Sequence, residues 1–233
     1  MALILAFDTA TRHLEVCLVD GGSMVTSRAD RGERFAHAEL INVFIDEVMR
    51  ESGRTLAKLD AVAVGVGPGS YTGLRIGSST AKGLCFALGI PVIGMSTLTV
   101  LAHQLHASGT RIRSTDALMP MIDARRMEVF TAEHDAHCIA RTPARPLILD
   151  EAWCVGRPEE QRTIVFGDGA DKASMLWEHK ERMVHVAGIA PASPGLAACA
   201  SRMMAEGRFA DLAYLVPDYA KEANLTRPAS STP

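Results

Sequence analysis

The chain opens with short apolar runs broken by carboxylates and glycines. Residues 3–7 run into Asp8-Thr9-Ala10-Thr11 and residues 14–19 into Asp20-Gly21-Gly22, a pattern that predicts a hairpin. Over residues 35–49, beginning at Phe35, the period becomes helical: Leu40, Ile41, Phe44 and Val48 share one stripe, and Ala38, Ile45 and Met49 the next. This arc is about 180° wide, against roughly 100° for a helix that covers only its own core, so the helix is either deeply buried or has a second contact surface. Residues 60–66 are apolar without alternation and predict a strand covered on both faces. A glycine-rich turn follows, then a helix over 72–88, a strand over 91–95, and a helix over 96–106 capped by Ser96 or Thr97. Three strands followed by alternating helices and strands imply an α/β architecture, with helices packed on a mixed sheet.

The pattern then restarts. Pro120-Met-Ile-Asp123-Ala-Arg125, followed by Glu128-Val129, parallels Leu5-Ala-Phe7-Asp8-Thr-Ala10, followed by Glu15-Val16, at offsets of 115 and then 113. Ile164-Val-Phe-Gly167-Asp-Gly169 parallels Val64-Gly-Val-Gly67-Pro-Gly69 at an offset of 100. These offsets predict two similar halves, residues 1–107 and 108–216. The polar, proline-bearing stretch 217–233 has little to bury and is expected to be a mobile tail.

Composition adds exclusions. Hydrophobic residues make up 48% and charged residues 22% of the 233, which excludes disordered, collagen-like and disulfide-scaffold classes. No apolar run approaches the roughly 18 residues of a membrane span, and the start has no basic leader, so a cytoplasmic protein without a membrane partner is expected. The five cysteines form no Cys-x-x-Cys pair and read as buried thiols. With 24 basic and 27 acidic side chains, the chain is not an autonomous nucleic-acid binder, and any RNA connection must be shared.

The densest chemical signal is Gly65-Val-Gly67-Pro-Gly69-Ser70-Tyr-Thr72-Gly73-Leu-Arg75-Ile-Gly77. A strand-to-helix turn of this kind could gather amide N–H groups on an anion, yet it matches neither the dinucleotide fingerprint nor the Walker loop, and a plain tight turn serves equally. Gly73, Gly77 and Ala81 form a small-residue face; because glycine inside a helix costs about 1 kcal/mol, close packing against a helix of this chain or of a partner is expected. The pairs His103/His106 and His134/His137 lack further ligands, so no metal site is read. No nucleophile elbow surrounds a serine. Asp8 and Asp123 end strands in the two halves and could face a shared cleft.

Val64-Gly-Val-Gly-Pro-Gly-Ser-Tyr-Thr-Gly-Leu-Arg-Ile-Gly77, with Ala81-Lys-Gly-Leu84 and Gly89-Ile-Pro-Val-Ile-Gly94, resembles the signature of the TsaB (YeaZ) family. That family is the small noncatalytic subunit of bacterial tRNA threonylcarbamoyladenosine (t6A) synthesis. The opening Leu5-Ala-Phe-Asp-Thr-Ala10, residues 120–129 and Gly167-Asp-Gly-Ala170 match in order, so the resemblance spans nearly the whole chain. It implies a duplicated actin/Hsp70-like ATPase (ASKHA) fold, with two mixed-sheet subdomains flanked by helices. The related catalytic TsaD (Kae1-type, glycoprotease-like) proteins continue from the Pro-Val-Ile-Gly segment into a metal-binding His-x-x-x-His, whose positions are Thr97 and Leu101 here. Hydroxyl and isobutyl groups cannot replace imidazole as ligands. The resemblance therefore implies no catalytic residue and no metal in this chain. It implies a scaffold that pairs with a TsaD-type subunit through Ala38, Ile41, Asn42, Ile45, Met49, Gly73, Leu74, Gly77, Ser78 and Ala81, and forms a homodimer when alone. A TsaE-type ATPase would join the pair, ATP or ADP could sit at the junction, and tRNA would be met only through the complex. Asp8, Thr9, Gly67, Gly69 and Ser70 are the nucleotide candidates. The competing expectation is an independent enzyme, an ASKHA ATPase or an M22-type metalloprotease.

Overall fold

The computed structural model describes residues 1–32, 36–158 and 160–220. The first half runs β1 (Leu3–Asp8), β2 (Leu14–Asp20), β3 (Ser23–Asp30), α1 (His37–Glu51), β4 (Ala61–Gly67), α2 (Tyr71–Leu88), β5 (Val92–Ser96) and α3 (Thr97–Ala107). The second runs β6 (Ala117–Asp123), β7 (Glu128–Thr131), β8 (Arg145–Ile148), α4 (Glu151–Val155), β9 (Thr163–Phe166), α5 (Asp168–Asp171), α6 (Ser174–Trp177), β10 (Met183–Val186) and α7 (Ser193–Ala205). The expected start of α1 at Phe35 lies outside the described residues.

The sheets are ordered β3-β2-β1-β4-β5 and β8-β7-β6-β9-β10, so each strand of one half has a counterpart in the other. In both, the first strand pairs antiparallel with the second and parallel with the fourth, which pairs parallel with the fifth. The duplication is thus in the topology. Its register departs by one residue from the sequence offsets, because strand pairing sets Val129, not Glu128, opposite Asp123 as Glu15 stands opposite Asp8.

Alternation along β1 explains how the first sheet is covered on both faces. Leu3, Leu5 and Phe7 point toward α1 and α2, joining Ile41, Ile45, Val48, Met49, Ala81 and Cys85. Ile4 and Ala6 point the other way, onto Val100 of α3 and Leu196, Ala197, Cys199 and Ala200 of α7. Leu98, Leu101, Ala102 and Leu105 of α3 meanwhile pack with Leu118, Ile122, Ile164 and Phe166, so α3 is a wall shared by both sheets. The wide apolar arc of α1 serves this core: Ile41, Ile45, Val48 and Met49 are buried, and Ala38, Asn42 and Val43 face out.

The chain after β10 crosses back. The Ser193 amide donates to Glu15 Oε1 at 2.9 Å, Ala210 bridges Val92, Leu215 enters the first core, and the Asp218 amide donates to the Val66 carbonyl at 2.7 Å. Residues 193–216, assigned by sequence to the second half, therefore pack on the first sheet, because α7 supplies the apolar cover that α3 alone cannot. Residues 217–220 of the expected mobile tail are likewise held there, and 221–233 lie outside the described residues. Among the described residues no helix is long and apolar enough to cross a membrane.

Candidate functional site

A cleft of about 590 Å³ separates the halves. The turn after β1 (Ala10, Thr11, Arg12) and the α2 start (Gly69 to Thr72) form one wall. Ile122 to Arg125, Phe130 and Asp168 form the other. The same local chemistry builds both rims: Asp8 Oδ1 accepts from the Ala10 amide at 2.7 Å, and Asp123 Oδ1 accepts from the Arg125 amide at 2.7 Å. A short carboxylate that bonds the backbone two residues on folds the chain into a turn.

Beyond that shared bond the two carboxylates differ. Asp8 is fully buried, and its Oδ2 accepts from Thr97 Oγ1 at 2.9 Å. Burial pushes its pKa up to about 6, against the opposing effect of those two hydrogen bonds. Asp123 stays open to solvent and pairs with Lys172 Nζ. Asp168, exposed on the cleft wall, accepts from the Asp123 amide at 2.9 Å, and the protein packed around its carboxylate, with the neighbouring Asp123 charge, raises its pKa.

The five nucleotide candidates do not come together. Asp8 is sealed behind Gly65, where any Cβ would collide with its carboxylate. Thr9 is buried and donates from Oγ1 to the Gly73 carbonyl at 2.8 Å. Gly67 faces the Asp218 carbonyl, leaving no room for a side chain. Only Gly69 and Ser70 reach the cleft. Even there, the Ser70 amide donates to the Ala10 carbonyl at 2.6 Å, and its hydroxyl caps α2 by accepting from the Gly73 amide at 3.3 Å. The Ser70 amide and hydroxyl are therefore already bonded within this chain, and a nucleotide site made of these five residues does not fit.

The expected partner face also needs correction. Ile41, Ile45, Met49, Gly73, Leu74, Gly77, Ser78 and Ala81 are buried within this chain, and only Ala38 and Asn42 of the ten are exposed. A Cβ at Gly73 would strike the Thr9 carbonyl oxygen and one at Gly77 the Thr9 hydroxyl, so the small-residue face exists to let α2 approach the end of β1. The outward faces of α1 and α2 instead present Val43, Tyr71, Arg75 and Phe86, the last 83% exposed. At the head of α3, Ser96 makes no capping bond and Thr97 spends its hydroxyl on Asp8 rather than on the helix end. Leu101 is buried in the second core.

Among the described residues no three His, Cys, Asp or Glu side chains gather as metal ligands. His134 is held by the Ala132 carbonyl at 3.0 Å and Thr99 Oγ1 at 3.0 Å, and His106 bonds the Ala136 carbonyl at 2.8 Å. These are structural ties between α3 and the second half. Site residues absent from the sequence candidates are Arg12 and Asp168, which line the cleft with Arg125. The available signal was an arginine closely following each repeated strand-end aspartate.

A family model described as "TsaD: tRNA N6-adenosine threonylcarbamoyltransferase" matches residues 33–150. A tRNA threonylcarbamoyladenosine biosynthesis protein TsaB from Haemophilus influenzae is 36% identical over 130 residues, 56% of this chain and 52% of that protein. Its Escherichia coli namesake is 37% identical over 131 residues, 56% and 54% of the two chains. These matches span about half the length of the curated relatives. The structure of YeaZ from Pseudomonas aeruginosa superposes with a TM-score of 0.77 at 25% identity, covering 94% of this chain and all of that one. The two mixed five-stranded sheets with flanking helices are the duplicated actin/Hsp70-like arrangement. With half of its residues inside that family model, the chain belongs to the TsaD-related family, in its TsaB (YeaZ) branch.

Proposed function

We propose that this chain is a noncatalytic subunit of t6A synthesis. It pairs with a TsaD-type catalytic subunit that transfers a threonylcarbamoyl group to N6 of adenosine 37 in tRNAs reading codons that begin with A. One observation carries the reading. The two positions that the resemblance aligns with metal-binding histidines are a threonine tied to Asp8 and a leucine in the core, and neither side chain can serve as an imidazole ligand there. The relatives' names, which refer to threonylcarbamoyladenosine biosynthesis, support the pathway.

The docking surface in this reading is the outward side of α1 and α2. Ala38, Val43 and Phe86 provide exposed apolar side chains there, among the exposed polar and charged Glu39, Asn42, Asp46 and Arg75, a mixture of apolar contact and charge suited to an interface. The same surface serves a homodimer in the partner's absence, and a TsaE-type ATPase joins the assembled pair. A nucleotide, where the assembly holds one, lies at the junction of the subunits and not on Asp8, Thr9 and Gly67.

The test is reconstitution. Mixing with the catalytic homologue gives a one-to-one heterodimer by light scattering and switches on t6A formation. Val43→Glu with Phe86→Glu abolishes pairing while leaving the melting temperature in place. Full t6A formation by the catalytic subunit and the ATPase without this chain would refute the proposal.

A further inference from the structure

The cleft between the halves carries a charge arrangement that neither the fold nor the docking surface requires. Arg12 and Arg125 approach it from opposite walls. Both are exposed, and among the described residues neither guanidinium has an ion-pair or hydrogen-bond partner. By contrast, Arg28, Arg157 and Arg162 each hold a carboxylate. Arg125 and Arg126 occupy consecutive left-handed positions, φ 75° and 52°, at the β6–β7 turn, where glycine or asparagine would sit without strain.

Charge bookkeeping in the cleft leaves a surplus of positive potential. Asp123 is neutralised by Lys172, and the exposed Asp168 on the same wall is outnumbered by the two arginines. The eighteen-residue α2 points its N-terminal turn, with no acidic side chain in it, into the same space beside Thr72. An anion is the complementary ligand. Its charge is small: Arg12, Arg125 and Lys172 are set against Asp123 and Asp168, which leaves one positive charge and suits a singly charged phosphodiester better than a polyphosphate.

We propose that this cleft binds a phosphodiester of the RNA modified by the assembly, clamped between Arg12 and Arg125. This rests on the function proposed above, which supplies RNA as the ligand. The chain's net charge of −3 keeps the contact from being a general nucleic-acid affinity. It works where a partner already holds the tRNA, and fixes register without reading sequence.

The experiment uses the reconstituted complex and unmodified tRNA across a salt series. Arg12→Gln and Arg125→Gln each raise the tRNA KM by on the order of tenfold and lower the salt slope of binding by about 1, as loss of one phosphate contact does. Arg125→Lys restores most of the slope, and Arg145→Gln on the edge strand β8 leaves it unchanged. Heterodimer formation, read by light scattering, tests the underlying function separately. If the complex assembles and is active but both glutamine variants keep wild-type KM and slope, the clamp is refuted while the subunit role stands. Weakened ADP binding with unaltered tRNA binding also refutes it, assigning the arginines to a nucleotide. If the wild-type chain neither pairs nor activates, both proposals fall together.

Discussion

The two strand-end aspartates make the same turn bond and have opposite surroundings. Asp8 is sealed by Gly65 and Thr97, with its pKa pushed up to about 6. Asp123, at the equivalent end of β6, stays at the surface with Lys172 beside it. Duplication supplied two identical turns, and packing assigned them different work. The first closed because α2 comes within contact of Thr9, which glycine at positions 73 and 77 permits. The second remained open because the short α5, rather than a long glycine-faced helix, follows β9. A carboxylate's role in this fold is set by how near the next helix can approach, and hardly at all by the residue itself.

The sharpest way to break the comparison is to block that approach. Gly73→Ala places a methyl group on the Thr9 backbone carbonyl, which cannot move aside. Its expected cost exceeds about 3 kcal/mol in urea unfolding, at the upper end of overpacking effects. Gly169→Ala in the second half meets Val129 Cγ1 at 2.8 Å and the backbone carbons of Ile122 and Met121 at 3.0 Å, shallower approaches than the 2.0 Å at Gly73, and should cost about half as much.

Neutralising the buried carboxylate acts next. Because the folded pKa of Asp8 is raised, the folded state favours its protonated form; that stability is fully present below the unfolded pKa near 4 and is lost as pH rises through about 6. Asp8→Asn has no proton to lose. Its advantage over wild type is expected to be near zero at pH 4 and to grow to about 3 kcal/mol above pH 6, two pKa units' worth. A pH-independent difference in denaturation midpoint would show that Asp8 is not ionising in the fold. Asp123→Asn removes only a solvent-exposed ion pair and should change stability by less than about 1 kcal/mol, less still in high salt.

The smallest effect is at the open turn. Arg125→Gly relieves a left-handed arginine and should stabilise the chain by about 0.5–1 kcal/mol in thermal unfolding, while raising the tRNA KM of the assembled complex as Arg125→Gln does. Stability and binding would then move in opposite directions at one residue, as strain kept at a functional turn requires.

Much of the fold could be read from periodicity. The β1–β2 hairpin, the uninterrupted apolar β4, and the helices α1, α2 and α3 all fall within a few residues of their expected ranges, because alternation and helical period reflect which side chains must be buried. The repeat was also legible, from Asp8 and Asp123 and from Gly67 and Gly167, both of which adopt positive φ. The candidate site was far less so. Ile41, Ile45, Gly73 and Gly77 looked like a partner face since an apolar or small-residue stripe is the same string of letters whether its cover comes from this chain or another.

What the sequence alone determined, then, was local: strand and helix positions, the paired turns, and the absence of imidazole at Thr97 and Leu101. Tertiary structure decided which surfaces remain. It returned α7 and residues 210–218 to the first sheet, buried Asp8 and Thr9, and left Arg12 and Arg125 both lining the cleft. The physical reason is that periodicity records each element's need for burial, whereas exposure depends on contacts between residues far apart in the chain, from Thr9 and Gly73 at 64 positions to Glu15 and Ser193 at 178, which no local pattern encodes.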